Sequence, residues 1–229
     1  MTAPSIVAGA TKGADGANTT STTVTTPSYN TGDTIFVPAA SDPTSQTFSI
    51  TGFSSLTGNI DVPVSTPTGT ANLLYKTNAS SEPGSYTLSV GTSERQAWMA
   101  FAVTNDGGLG AQGTDNSGNS STATIPAITT TAANSLVIAV IFGDQIITPF
   151  GAATGYTKLN EVSGTSAASV AVYYQAVATA QTISAQNVSL GAARGWRAIV
   201  FEIKAIVTAT GRSVFPALFQ PVLGGGLLG

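Results

Sequence analysis

Two short motifs recur in the same order along the chain, and this repetition constrains the fold more than any other feature. Thr51-Gly52-Phe53-Ser54-Ser55-Leu56 returns as Thr154-Gly155-Tyr156-Thr157-Lys158-Leu159, and Trp98-Met99-Ala100-Phe101 returns as Trp196-Arg197-Ala198-Ile199. The two offsets, 103 and 98 residues, differ by no more than loop-length variation produces. Residues 33–37 match 134–138, 73–76 match 172–175, and 89–90 match 189–190, so the correspondence holds between the anchors as well. Copies of about 85 to 100 residues are far longer than a solenoid repeat. The reading is an internally duplicated unit, and a compact pseudo-symmetric arrangement is favoured over two separate bodies.

The copies read as all-β. Apolar residues and threonines form short runs bounded by Gly, Pro, Asn or Ser, at 19–26, 34–37, 47–50, 59–64, 71–76, 85–90 and 97–104 in the first copy. The second copy gives 122–129, 135–142, 156–162, 169–176, 182–190 and 196–205. Residues 196–203 are apolar on both alternating faces, which predicts a central strand. No stretch has the period of a long amphipathic helix. The expectation is an antiparallel β-sandwich, jelly-roll-like, with about seven strands per copy. Residues 1–17 lack periodicity and read as a flexible N-terminal arm. The first repeat is then 18–104, a Gly/Asn/Ser-rich linker covers 105–121, the second repeat is 122–206 packed on the first, and 207–229 is an extended apolar C-terminal arm.

Composition narrows the function. Only 8% of residues are charged while 42% are apolar, against roughly 25% charged in an average globular protein. A packed protein with so few charges has a surface of hydroxyls and amides, which suits a component whose outer face is shared with neighbours. Eight basic against eleven acidic residues, scattered and netting −3, provide no field for nucleic acid. The longest apolar run, 136–142, is too short for a membrane helix, which needs about 20 residues. The first residues lack the charged and apolar regions of a secretion signal. With no histidine and no cysteine, histidine- or cysteine-based nucleophile systems and metal sites are excluded. The carboxylates are dispersed, several in turn-like sequence. No enzyme activity, cofactor or metal is therefore expected.

Trp98 and Trp196, the only tryptophans, occupy matched positions in apolar strands and are read with Phe53 and Tyr156 as structural core rather than as a sugar-stacking platform. Gly52 and Gly155 are expected to take positive φ and turn the following ring inward. Asp115-Asn116-Ser117-Gly118-Asn119 starts like a calcium loop but lacks the closing glutamate. The final stretch differs in kind: Val214, Phe215, Leu218, Phe219, Val222, Leu223, Leu227 and Leu228 crowd a segment with two prolines and three consecutive glycines, outside the repeat. Such a segment reads as an arm that docks into a groove, in an intermolecular contact by preference.

Gly-Asp-Thr-Ile-Phe, Gly-aromatic-x-x-Leu and Pro-Gly-Ser-Tyr-Thr-Leu-Ser-Val in the first half are followed by Ala-Asn-Ser-Leu-Val-Ile-Ala and Trp-Arg-Ala in the second. Over residues 19–205 this order resembles a class of duplicated β-sandwich proteins of tailed bacteriophages, also found among bacterial surface proteins. The resemblance implies a virion structural protein of decoration, head or neck fibre, or adhesin type, exposed on the particle surface, with other virion proteins and its own copies as partners. The alternative it implies is a receptor- or glycan-binding tail adhesin, with a host surface glycan as partner, or a bacterial surface domain. Gly52-Phe53 stands where such proteins often carry Gly-Trp, and the C-terminal arm is outside the shared pattern.

Overall fold

The computed structural model describes residues 1–42, 46–63, 69–164 and 168–207. All regular structure in them is β. In the first half the strands are β1 (Ser5–Ile6), β2 (Thr11–Ala14), β3 (Thr19–Thr25), β4 (Thr34–Asp42), β5 (Ser54–Ser55), β6 (Ile60–Val62), β7 (Gly69–Lys76) and β8 (Ser85–Thr104). The second half carries β9 (Asp106–Gln112), β10 (Asn116–Ile125), β11 (Ile128–Thr129), β12 (Ser135–Gly143), β13 (Thr157–Ser163), β14 (Ser169–Val177), β15 (Thr182–Ile183) and β16 (Gln186–Ala205).

Each half builds one large antiparallel sheet with the same connectivity, and in the second half β11 and β15 pair as a separate two-stranded sheet. In the first, β8 lies beside β4, β4 beside β7, and β7 beside β5 and β6, while β1, β2 and β3 line the free side of β8. In the second, β16, β12, β14 and β13 follow in the same order, with β9 and β10 along β16. The likeness extends to irregularities. The ladder shifts register between Thr19 and Ser21 in one half and between Ser120 and Thr122 in the other. Gly52 and Gly155 take φ of 83° and 79°, the left-handed conformation in which a side chain is strained.

The two sheets pack face to face as a sandwich. Phe36, Leu73, Met99 and Phe101 of the first meet Ile138, Val140, Val172 and Phe201 of the second in one shared core. The ring of Phe36 lies 5.4 Å from both Phe101 and Phe201. The opposite face of each sheet is covered by its own half. Val24, Phe48, Tyr86 and Leu88 close over Ile35 and Trp98, while Ile125, Phe150, Val188 and Leu190 close over Ile141 and Trp196. This double covering explains why β12 reads Ser-Leu-Val-Ile-Ala-Val-Ile-Phe-Gly and is buried along its whole length. A strand buried on both faces has no position for a polar alternate.

Long basic side chains tie the sheets together at their edges. Lys12 Nζ in β2 donates to Asn160 Oδ1 (2.8 Å) and to the Glu161 carbonyl (2.7 Å) in β13. On the other side, Arg197 Nη1 in β16 donates to the Asp61 carbonyl in β6 (2.9 Å).

Four expectations need correction. Within the expected arm 1–17, residues 5–6 and 11–14 are strands hydrogen-bonded to β8. Most of the expected linker 105–121 belongs to β9 and β10, which pair with β16. The two segments hold equivalent places, and both are polar because an edge strand is secured by backbone hydrogen bonds. Residues 47–50, expected as a strand, make only a single bridge, Ser49 to Ser89. The separate runs at 85–90 and 97–104 are one continuous strand, as are those at 182–190 and 196–205 apart from a short β15.

Gly13 stands opposite Trp98, and Gly118 opposite Trp196. A methyl group added at Gly13 would lie 2.5 Å from the Trp98 ring, and one at Gly118 would lie 3.0 Å from Trp196. Each indole is therefore roofed by bare backbone. Gly13→Ala is expected to destabilise the protein by about 1–3 kcal/mol and Gly118→Ala by less, with denaturant unfolding of both variants as the measurement.

Candidate functional site

Trp98 and Trp196 are each 4% exposed and belong to the outer cores. The Trp196 indole N–H donates to Ser120 Oγ at 3.0 Å. Phe53 is half-buried and meets Tyr86 edge-on at 5.0 Å. Tyr156 is half-buried against the second outer core, its hydroxyl buried with no partner among the described residues, so burial pushes its pKa up to about 12. The four sit in two separate cores and converge on no site. Arg95, three residues before Trp98, stands opposite Asp42 and interacts with it. Asp115, at the start of the calcium-like sequence, is paired with Arg197. The arm residues Val214, Phe215, Leu218, Phe219, Val222, Leu223, Leu227 and Leu228 lie outside the described residues.

The described chain ends at a feature that sequence reading missed. Thr2 bridges to Ile206, so both ends of the sandwich body emerge side by side. Met1 and Val207 are 73% and 72% exposed, and Ile206 is also exposed. With Ala132 and Ala133 they line a groove of about 560 Å³. Three large apolar side chains facing solvent together are unusual in a body where, among the described residues, only Ile146 of the other large apolar groups is exposed.

The groove walls are held by two carboxylates. Glu202, in β16, is fully buried. It accepts hydrogen bonds from the amides of Ala111 (2.9 Å), Thr131 (2.9 Å) and Ala132 (3.0 Å), and from Thr131 Oγ1 (2.7 Å). Burial alone would raise its pKa, but these donors outweigh burial and hold the carboxyl below its usual range. The bonds to Thr131 and Ala132 fix the loop that carries the groove's alanines. Asp106 fixes the adjoining wall by accepting from Thr34 Oγ1 (2.5 Å) and the Gly108 amide (2.6 Å). A signal for Glu202 was present in the sequence: a lone carboxylate on the Trp-Ala-Val face of a strand predicted to be central. Replacing it with Gln turns an amide N–H₂ toward backbone donors. Glu202→Gln is expected to cost about 1–3 kcal/mol in chemical denaturation.

The opposite end of the sheets carries charge. Asp42 closes β4 opposite Arg95, and Asp144, just after β12, lies beside Gly195 and near Arg194, the matching place in the second half. Asp144 is 3% exposed and its Oδ1 has no partner among the described residues. Burial chiefly, with a further push from Asp42, raises its pKa to about 6, against the pull of backbone amides and Arg194. Burial also raises Asp42, in part offset by Arg95. A pKa above the unfolded value means that the folded state holds the proton more tightly. The stability contributed by protonated Asp144 is full below the ordinary value of 3.8 and is lost as pH rises through about 6. Asp144→Asn should therefore raise the melting temperature at pH 7.5 more than at pH 4.5, which a pH series of thermal melts measures.

Among the described residues, no three acidic side chains gather as a metal site would require. No protein-family model, curated protein or solved structure matches this chain.

Proposed function

We propose that this chain is a non-catalytic structural protein of a tailed-bacteriophage particle, of the capsid-decoration or head or neck fibre kind, which multimerises and attaches through its apolar C-terminal residues. The observation that carries the reading is the terminal groove. A sandwich that buries nearly all its large apolar side chains leaves Met1, Ile206 and Val207 exposed together. From that place the chain runs on into the apolar sequence from Val214 to Leu228. Buffered walls at Glu202 and Asp106 give the groove a fixed shape, which reduces the ordering cost of docking. The low charge of the whole chain, 8%, supports a surface shared with neighbours. The absence of histidine and cysteine supports a role without nucleophilic catalysis.

The test compares the full chain with a variant in which Phe215, Phe219 and Leu223 are replaced by Ser. The expected result is a lower oligomeric state in light scattering and loss from purified particles. Unchanged mass and unchanged incorporation would overturn the reading. A glycan-binding adhesin is the second reading, favoured by one observation, a cleft between the two halves on the Arg197 side.

A further inference from the structure

The edge where Arg197 joins the sheets differs from the edge where Lys12 does. At the Arg197 edge, β6 of the first sheet stands off from β16 and the turn between β9 and β10, leaving an open cleft of about 400 Å³. That volume lies within the range of small-molecule sites, about 300–1,000 Å³. Its floor is apolar, from Leu56, Ile60 and Ile199. Its rim is polar, from Gln112, Thr114, Asp115 and Arg197.

The charges in the rim cancel. Arg197 gives Nε (2.6 Å) and Nη2 to the same oxygen of Asp115, Oδ2, and its Nη1 to the Asp61 carbonyl. An anionic ligand would meet the Asp115 carboxylate, and a cationic one the guanidinium, so the cleft selects against both. What the rim leaves unspent among the described residues is Asp115 Oδ1, the Gln112 amide and the Thr114 hydroxyl. These comprise a carboxylate acceptor, a paired donor and acceptor, and a group that is both. A purely apolar ligand would leave them dry and unsatisfied, at a cost. Adjacent ring hydroxyls, each both donor and acceptor, match this set, and the C–H face of the same ring covers the apolar floor. Because the ion pair already holds Asp115 in place, little ordering is needed on binding.

We propose that this cleft binds a neutral saccharide, with Asp115, Gln112 and Thr114 reading its hydroxyls and Leu56, Ile60 and Ile199 supporting the ring. This site is independent of the terminal groove and of the assembly reading, since both its walls belong to the sandwich body. If it is used for attachment, it deepens the adhesin reading by naming the ligand class and the residues.

The experiment is an amide chemical-shift titration of the full-length protein with glucose, galactose, N-acetylglucosamine and their β-linked disaccharides. N-acetylneuraminic acid and glucosamine serve as charged probes, and glycerol as a polyol without a ring. The expected result is saturable shifts confined to residues 56–61, 112–115 and 197–201 with at least one neutral sugar, and no saturation with the charged probes or glycerol. Gln112→Ala and Thr114→Val leave the Arg197 ion pair intact. Each should weaken binding at least fivefold while the melting temperature stays the same. No saturable shift with any neutral sugar, shifts mapping elsewhere, preference for a charged probe, or binding indifferent to both variants would each overturn the proposal. Loss of particle incorporation in the C-terminal variant with sugar binding intact would separate this site from the assembly function.

Discussion

Everything else in this molecule depends on the burial of two apolar sheet faces against each other. Neither sheet has a polar face to offer water: β12 is buried throughout and β4 up to its last residue, and each presents one row of side chains to its own covering strands and the other to the opposite half. Separating the halves would expose Phe36, Phe101, Phe201 and the Leu, Ile and Val around them. Burying a side chain of that size is worth about 1.5–3 kcal/mol, so a dozen of them dominate any other contact between the halves. The edge ties from exposed Lys12 and half-buried Arg197 are each worth little beside that core. They set alignment, while the core supplies the attraction.

That division explains which parts of the fold were legible in the sequence. A strand wedged between two cores writes itself as an unbroken apolar run, and residues 135–142 did so. A turn that needs positive φ asks for glycine, and Gly52 and Gly155 answered. The strands in residues 5–14 and 106–121 left no such mark, because an edge strand is bonded through its backbone and its side chains are free to be Gly, Ser or Asn. Their one side-chain requirement is an absence: Gly13 and Gly118 lack the atom that would strike a tryptophan. Absences of that kind become readable only when the register is known.

The candidate sites were less legible still, for a related reason. The tryptophans, the most conspicuous residues of the sequence and read there as core, lie in the two outer cores. Glu202 was visible as a carboxylate on an apolar face, but its partners, Ala111, Thr131 and Ala132, contribute backbone amides that no residue type announces. The cleft at Arg197 joins residues from 56 to 201 across two sheets, and its neutrality arises from a pairing over 82 positions of sequence. Asp115 was read as the start of a calcium-like sequence; its pairing with Arg197 depends on the connection between β9 and β10 that brings it over β16.

The two longest strands have a consequence of their own. β8 and β16 each run for 20 residues. The early part of each closes its outer core, and the later part lies in the shared one, with Gly91 to Ser93 and Gly191 to Ala193 exposed between. One covalent rod thus belongs to two compartments at once. Loosening an outer compartment pulls on the strand that seals the middle, and opening the middle pulls on both outer ones. Repetition of a unit usually invites piecemeal melting, each unit on its own; here the shared strands give each outer compartment a covalent and packed link to the middle one.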